Sequence, residues 1–109
     1  MISMPIDSGL RRVIDAAAIA VGINLAHKVV TNQYSSLFSF VSNGLGVAIV
    51  PASVLPPVDD ELLVVRSLTP SMTRQIGVIH LNDKPLNAAS ESFLRTLRPL
   101  LTDAIAGAR

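Results

Sequence analysis

The feature of this sequence that most limits its possible folds is a run of thirty residues, 29–58, without a single charged side chain. Such a run carries too little charge to lie along a solvated surface, so most of it must be covered by other parts of the fold. It is not a membrane span, because polar side chains are scattered through it and Pro51 interrupts it. The polar residues are Asn32, Gln33, Ser35, Ser36, Ser39, Ser42 and Asn43. We therefore expect this run to be a buried segment of mixed polar and apolar residues.

The chain as a whole is short and weakly charged. Its 109 residues suffice for one domain of ordinary size. Only 16% of them are charged, which is low for a soluble domain, so we expect part of the surface to meet a partner. The net charge of +1 gives no electrostatic footprint for DNA or for an anionic membrane. The absence of cysteine excludes disulfides, thiolate zinc sites and cysteine nucleophiles. The first residues lack the pattern of a signal peptide.

Hydrophobic spacing predicts a strand and then a helix at the start of the chain. A short strand at residues 2–4 is followed by Asp7 and Ser8, either of which can cap a helix. Apolar residues then recur at helical spacing, and Gly22 offers a left-handed residue at the helix end. The apolar residues are Leu10, Val13, Ile14, Ala17 and Val21.

The same order repeats in the uncharged run. A strand at residues 27–30 leads through a turn at residues 31–32 into a second helix, which ends near Gly44. One face of that helix carries Leu37, Phe40 and Val41. Residues 46–50 form a continuous apolar run before a proline, which is typical of a strand buried in a parallel sheet. The first fifty residues thus predict a βαβαβ unit.

The second half of the chain is predicted with less regularity. Residues 53–60 are expected to form a loop or a single turn, residues 61–66 an edge strand, and residues 74–81 another strand. A last helix begins after Asn87, and its apolar stripe is Phe93, Leu97, Leu100 and Leu101. Strands that alternate with helices predict an α/β fold, with a mostly parallel sheet flanked by helices.

Residues capable of chemistry are sparse. His27 and His80 have no carboxylate at a metal-ligand interval, so we expect no metal site. Ser8 lacks the flanking glycines of a nucleophile elbow and is better explained as a helix cap. Gly44 and Gly46 precede a predicted strand, whereas the glycines of a dinucleotide-binding turn open a helix. We therefore expect neither a cofactor nor an enzymatic activity.

The predicted topology does, however, place polar loops together. Open α/β sheets bind ligands beyond the carboxyl ends of their strands, and here the loops are residues 5–8, 31–34 and 51–54. Helix N-termini present unpaired N–H groups and a positive dipole end, which favour small carboxylates. The residues predicted to contact such a ligand are Pro5, Ser8, Thr31, Asn32, Gln33 and Tyr34. Each is also a common cap or turn residue, so a structural role remains the alternative.

Four segments together resemble a known family. Residues 40–51, FVSNGLGVAIVP, resemble the V-x-x-G-x-G-[IV]-x-x-[LV]-P segment in the effector-binding domain of LysR-type transcriptional regulators. Residues 10–15 are similar to the first helix of the second lobe of that domain. Residues 73–79 resemble its return strand, and residues 85–89 with 93–94 the start of its last helix. The order and spacing agree over nearly the whole chain.

This resemblance implies a periplasmic-binding-protein-like sensor of two α/β lobes, with the effector in the cleft and a winged helix-turn-helix at the N-terminus. The chain is similar only to part of it. Residues 1–68 correspond to the second lobe with its βαβαβ core, and residues 69–109 to a return strand and C-terminal helix that pack on the first lobe. In the family, effector contacts from this lobe come chiefly from the loop after the second strand, which corresponds here to residues 31–34.

The expected function is accordingly the effector-sensing portion of a cytoplasmic LysR-type regulator. Its partners would be a small-molecule effector, most simply a carboxylate, and further copies of the chain in a homo-oligomer. This segment would contact neither DNA nor a membrane, and DNA would be bound through an N-terminal domain outside it. The alternative is a lobe of a periplasmic solute-binding protein from a transport system, which shares the architecture.

Overall fold

The computed structural model of the chain describes residues 1–56 and 61–107. The chain forms two compact units, Met1–Arg74 and Gln75–Arg109. The elements of the first unit are β1 (Ile2–Ser3), α1 (Gly9–Ala20), β2 (Val29–Val30), α2 (Tyr34–Ser42) and a 3-10 turn at Ala52–Val54. The second unit contains α3 (Ala88–Gly107). The assignment of residues 1–68 to one lobe and 69–109 to a returning segment stays a prediction.

Strands β1 and β2 pair in parallel, with Ile2 opposite Val29 and Ser3 opposite Val30. Backbone hydrogen bonds continue the pairing on both sides, from Lys28 N to Met1 O at 3.0 Å and from Thr31 N to Ser3 O at 2.9 Å. Parallel strands need a crossover connection, and α1 provides it. The first predicted strand–helix–strand unit is therefore confirmed, with strands shorter than expected.

Both helices of the first unit end in the same backbone arrangement. After α2, Gly44 adopts a φ of +78°, its N–H donates to Val41 O, and Leu45 N donates to Phe40 O. After α1, Gly22 has the equivalent place, with a φ of +73°. This is the Schellman motif, in which a left-handed residue lets the chain satisfy the last helical carbonyls and turn away. The predicted roles of the two glycines as helix terminators are confirmed.

The core of the first unit is small and lies around β1. Ile2 and Leu37 are each only 1% exposed, and α2 contacts β1 directly. Leu10 and Ile14, one turn apart on α1, are also buried. Burial of this α1 face follows the predicted helical spacing of apolar residues, because positions i and i+4 lie on one side of a helix.

The predicted third strand at residues 46–50 is not formed as a sheet strand. A single backbone hydrogen bond, from Ile2 N to Val47 O at 2.8 Å, joins it to β1. The carbonyl groups of Met1 and Ser3 accept hydrogen bonds from the β2 side, whereas the Ile2 N–H points to the opposite side of β1. Strand β1 therefore lies between β2 and Val47. The prediction of a strand was wrong, because a strand requires a continued ladder of hydrogen bonds, and Val47 remains largely exposed.

Two further strand predictions are wrong. Glu61 and Leu62 lie in a turn, no strand forms over residues 61–66, and no strand forms over residues 74–81. Alternating or continuous apolar residues stabilise a strand only when a neighbouring strand supplies hydrogen bonds and a packing face. Among the described residues that partner is missing, and Ile79 is 96% exposed. The two-stranded sheet thus corrects the expected larger sheet. Residues 57–60 of the predicted 53–60 loop lie outside the described part.

The second unit is built on α3. The side chain of Asn87 accepts a hydrogen bond from Ser90 N at 2.8 Å, and its carbonyl accepts one from Glu91 N at 3.0 Å. This confirms the helix start expected after Asn87. The predicted apolar stripe is only partly covered, because Phe93 and Leu100 are exposed. None of the helices in the described ranges is long and apolar enough to cross a membrane.

Candidate functional site

Two of the three predicted ligand-binding loops lie side by side at one edge of the sheet. The loop of residues 4–8 follows β1, and that of residues 31–33 follows β2. Because the strands are parallel and in register, both loops leave at their carboxyl ends, and the Thr31 N to Ser3 O bond joins their first residues. The third loop, residues 51–54, contains the 3-10 turn. It follows residues 46–50, which do not form a strand.

The first loop ends in a capped helix. Ser8 N donates to Pro5 O at 2.9 Å, which closes a turn, and Ser8 Oγ accepts a hydrogen bond from Arg11 N at 3.4 Å. Ser8 is the N-cap of α1, with an extended backbone. This geometry satisfies one of the free amides of the first helical turn. Pro5 and Ser8 therefore have clear structural roles here, in line with the alternative stated for them.

The second loop leaves the N-terminus of α2 without a side-chain cap. Thr31 Oγ1 accepts a hydrogen bond from Gln33 N at 3.3 Å, and Gln33 is the N-cap of α2 without a side-chain capping bond. Asn32 and Gln33 are exposed, and Tyr34 is half-buried. Neither α1 nor α2 carries an acidic residue in its first turn. The α2 end thus presents backbone N–H groups and amide side chains, which can donate to an anion.

A group of polar side chains that the sequence did not predict lies just behind these loops. Ser3 Oγ and His27 Nδ1 are 2.6 Å apart, and His27 Nε2 lies 3.2 Å from Asp15 Oδ1. The second carboxylate oxygen of Asp15 accepts a hydrogen bond from Arg11 Nε at 2.9 Å. Arg11 Nη1 in turn donates to Met4 O at 3.0 Å. The group connects β1, α1 and the chain entering β2.

The order serine, histidine, aspartate resembles a hydrolytic triad, but the surroundings are those of a structural network. Ser3 is only 3% exposed, which leaves its hydroxyl no open approach for a substrate. Asp15 is shared with the Arg11 guanidinium, which supplies a charge partner for this partly exposed carboxylate. Arg11 and Asp15 are four residues apart on α1, a spacing typical of helical ion pairs, so this signal was present in the sequence.

An open cavity of about 220 Å³ lies at the opposite end of α1. Its polar wall is formed by Asp15, Asn24 and His27, and its apolar wall by Ala18, Ile19, Ile23 and Leu25. None of the predicted contact residues lines this cavity, because they follow the carboxyl ends of the strands whereas the cavity adjoins the segment entering β2. In the described part of the chain, no three potential metal-ligating side chains come together.

Comparison with known proteins connects this geometry to a family. Residues 1–102 match the family model described as the LysR substrate binding domain. A relative from Shigella flexneri, named "Uncharacterized HTH-type transcriptional regulator YfeR", is 33% identical over 93 residues. The matched region covers 84% of this chain but 30% of that relative. No solved structure matches the chain.

Proposed function

Since the chain belongs to the LysR substrate-binding domain family, we propose that it is the effector-binding portion of a transcriptional regulator and that residues 31–34 form its principal contact with the effector. The observation that carries the proposal is the family match over residues 1–102, combined with the pairing of β1 and β2. That pairing brings two helix-entry loops to one edge of the sheet, where α/β folds bind ligands.

The properties of the loops favour a small anion. The α2 N-terminus lacks a side-chain cap and an acidic neighbour in its first turn, so its amides and dipole are available to a carboxylate. Asn32 and Gln33 add exposed amide donors, and Tyr34 adds a flat apolar wall. Pro5 and Ser8 shape the neighbouring wall and would contact the ligand more through backbone than through side chains, because the Ser8 hydroxyl already caps α1.

Regulation would operate without covalent chemistry. An effector that binds one arrangement of lobes and subunits better than another shifts the population toward that arrangement. Because the matched region is 30% of the YfeR relative, the DNA-binding domain and most of the other lobe would lie outside this chain. DNA contact, oligomerisation and a cytoplasmic location belong to this proposal as properties of the longer regulator.

The alternative, a lobe of a solute-binding transport protein, shares the same architecture. It is not favoured, because the matching relative is named as an HTH-type transcriptional regulator. An enzymatic role is not favoured either, because the serine of the triad-like group seen among the described residues, Ser3, is buried. An N-terminal helix-turn-helix in the gene that encodes this chain would support the regulator, and an export signal would support the transport protein.

The test uses the regulator that contains both lobes. A thermal-shift screen with a panel of small carboxylates is expected to raise its melting temperature with at least one compound, because a ligand that binds only the folded state stabilises it. Gln33→Ala should reduce this shift and the effector response, with basal DNA binding unchanged. The matched control is Asn24→Ala, an exposed amide that precedes β2 and lies away from the loops. Equal shifts in both variants would refute the assignment of residues 31–34.

A further inference from the structure

Arg11 spans the loop that forms one wall of the proposed site. Its backbone N–H donates to Ser8 Oγ at the end of the loop, and its guanidinium donates to Met4 O at the beginning. The Arg11 side chain is only 10% exposed, so these bonds are partly shielded from water. One residue of α1 thereby fixes both ends of the loop of residues 4–8.

The Asp15 carboxylate orients the Arg11 guanidinium. Asp15 Oδ2 accepts from Arg11 Nε at 2.9 Å, and Asp15 Oδ1 faces His27 Nε2 at 3.2 Å. A guanidinium is planar, so holding its Nε fixes the direction in which Nη1 donates. Because Arg11 Nη1 donates to Met4 O, the position of the Asp15 carboxylate affects how the Met4 carbonyl is held.

His27 connects this pair to the sheet. Its Nδ1 lies 2.6 Å from Ser3 Oγ, and Ser3 is paired with β2 through its backbone. The contacts begin at Ser3, pass through His27, Asp15 and Arg11, and end at the Met4 carbonyl. Met4 follows Ser3 directly in the chain. The four side chains and the Met4 carbonyl form a closed ring.

We propose that this ring is a positioning device, through which Asp15 and His27 hold the loop of residues 4–8 in the geometry that receives the effector. The inference rests on the proposed function, because it deepens the description of the same site. Asp15 and His27 touch neither Pro5 nor Ser8 directly in any described contact, and they act through Arg11. A loop held in its binding geometry improves affinity, because less ordering remains to be done on binding.

The test measures amide hydrogen exchange of the 109-residue chain by NMR, without ligand. The reporter is the Ser8 N–H, which bonds to Pro5 O within the loop, and the reference is the Leu37 N–H of α2. Arg11→Lys keeps the charge but cannot hold the Asp15 carboxylate and the Met4 carbonyl with one planar fork. Exchange at Ser8, relative to Leu37, is expected to rise about tenfold, as for the loss of a charge-assisted bond. Arg12→Lys, an exposed neighbour, is the control and should change it less than twofold, on the order expected for a surface substitution.

His27→Gln tests the part of the ring that is remote from the loop. It should raise relative exchange at Ser8 in the wild-type background and have no further effect when Arg11→Lys is already present. Such non-additivity requires that the two residues act in one network, and independent losses of stability would add instead. Because Ser8 is compared with Leu37, a loss of stability of the whole unit, which raises exchange at Leu37 at least as much as at Ser8, does not raise the ratio. An unchanged ratio in His27→Gln, or additive effects in the double variant, would overturn the proposal.

The outcomes separate the ring from the proposed function. The exchange measurement contains no effector, so its failure removes the positioning role and leaves the binding site of residues 31–34 untouched. Conversely, if no carboxylate stabilises the two-lobe regulator while Ser8 exchange responds as expected, the proposed function fails and the ring remains as a structural device.

Discussion

Replacing Gly44 by alanine is expected to destabilise the first unit by about 1 kcal/mol. Gly44 has a φ of +78°, and a methyl group added there meets no atom within 4 Å. The cost therefore comes only from the left-handed backbone, about 1–2 kcal/mol for a residue with a Cβ atom. Against it stands a gain of roughly 0.4–1 kcal/mol, because alanine reduces the entropy of the unfolded chain. The difference is a net destabilisation.

Gly9 provides a matched control for the same chemical change. It is the first residue of α1, its φ is not positive, and an added methyl group there also meets nothing within 4 Å. Gly9→Ala should therefore stabilise the chain by about 0.5 kcal/mol. The assay is urea unfolding of the 109-residue chain followed by far-UV circular dichroism. Gly44→Asn should cost less than Gly44→Ala, because asparagine tolerates the left-handed region better. Equal signs for Gly9→Ala and Gly44→Ala would refute the backbone explanation.

Two other predictions concern packing. Leu37→Ala should lower the free energy of unfolding by about 2–5 kcal/mol in the same urea assay, because Leu37 is only 1% exposed. Leu45→Ala, at an exposed site, should lower it by well under half as much. Similar losses in both variants would contradict the core described here. The purified chain should also self-associate, because Ile76 and Ile79 leave apolar surface uncovered. Sedimentation that shows one 11.5 kDa species at tens of micromolar would contradict this.

Helix ends were predictable because they depend on local chemistry. Ser8, Gly22, Gly44 and Asn87 act within a few residues of themselves, through side-chain caps or a positive φ. The strands expected at residues 46–50, 61–66 and 74–81 were not predictable in the same way, because a strand depends on a neighbouring strand that can be distant in the sequence. Residues 74–81 are the clearest case, since their apolar pattern is strong and no strand forms.

The placement of the two candidate loops side by side was predictable, but the side chains that support them were not. The pairing of two parallel strands brings residues 4–8 and 31–33 together, and this follows from the strand–helix alternation. The ring behind them was missed because it joins residues separated by 24 positions, Ser3 and His27, which no local spacing connects. Only the Arg11 and Asp15 spacing was visible, and it is equally compatible with an exposed helical ion pair.

The distribution of charge in the first unit separates the ion pair behind the loops from the uncharged residues of the proposed binding loop. The ion pair of Arg11 and Asp15 lies on α1, with Arg11 buried and Asp15 partly exposed, and each charge is matched by the other. The loop of residues 31–33 and the start of α2 contain no charged side chain, so a carboxylate bound there meets only amides, hydroxyl groups and the helix dipole. Such donors are neutral, so binding does not require the desolvation of a charged side chain. The geometry of the donors then determines the affinity. In the proposed site such donors would make rigid positioning more important than net charge, and the ring would contribute by holding the neighbouring loop of residues 4–8.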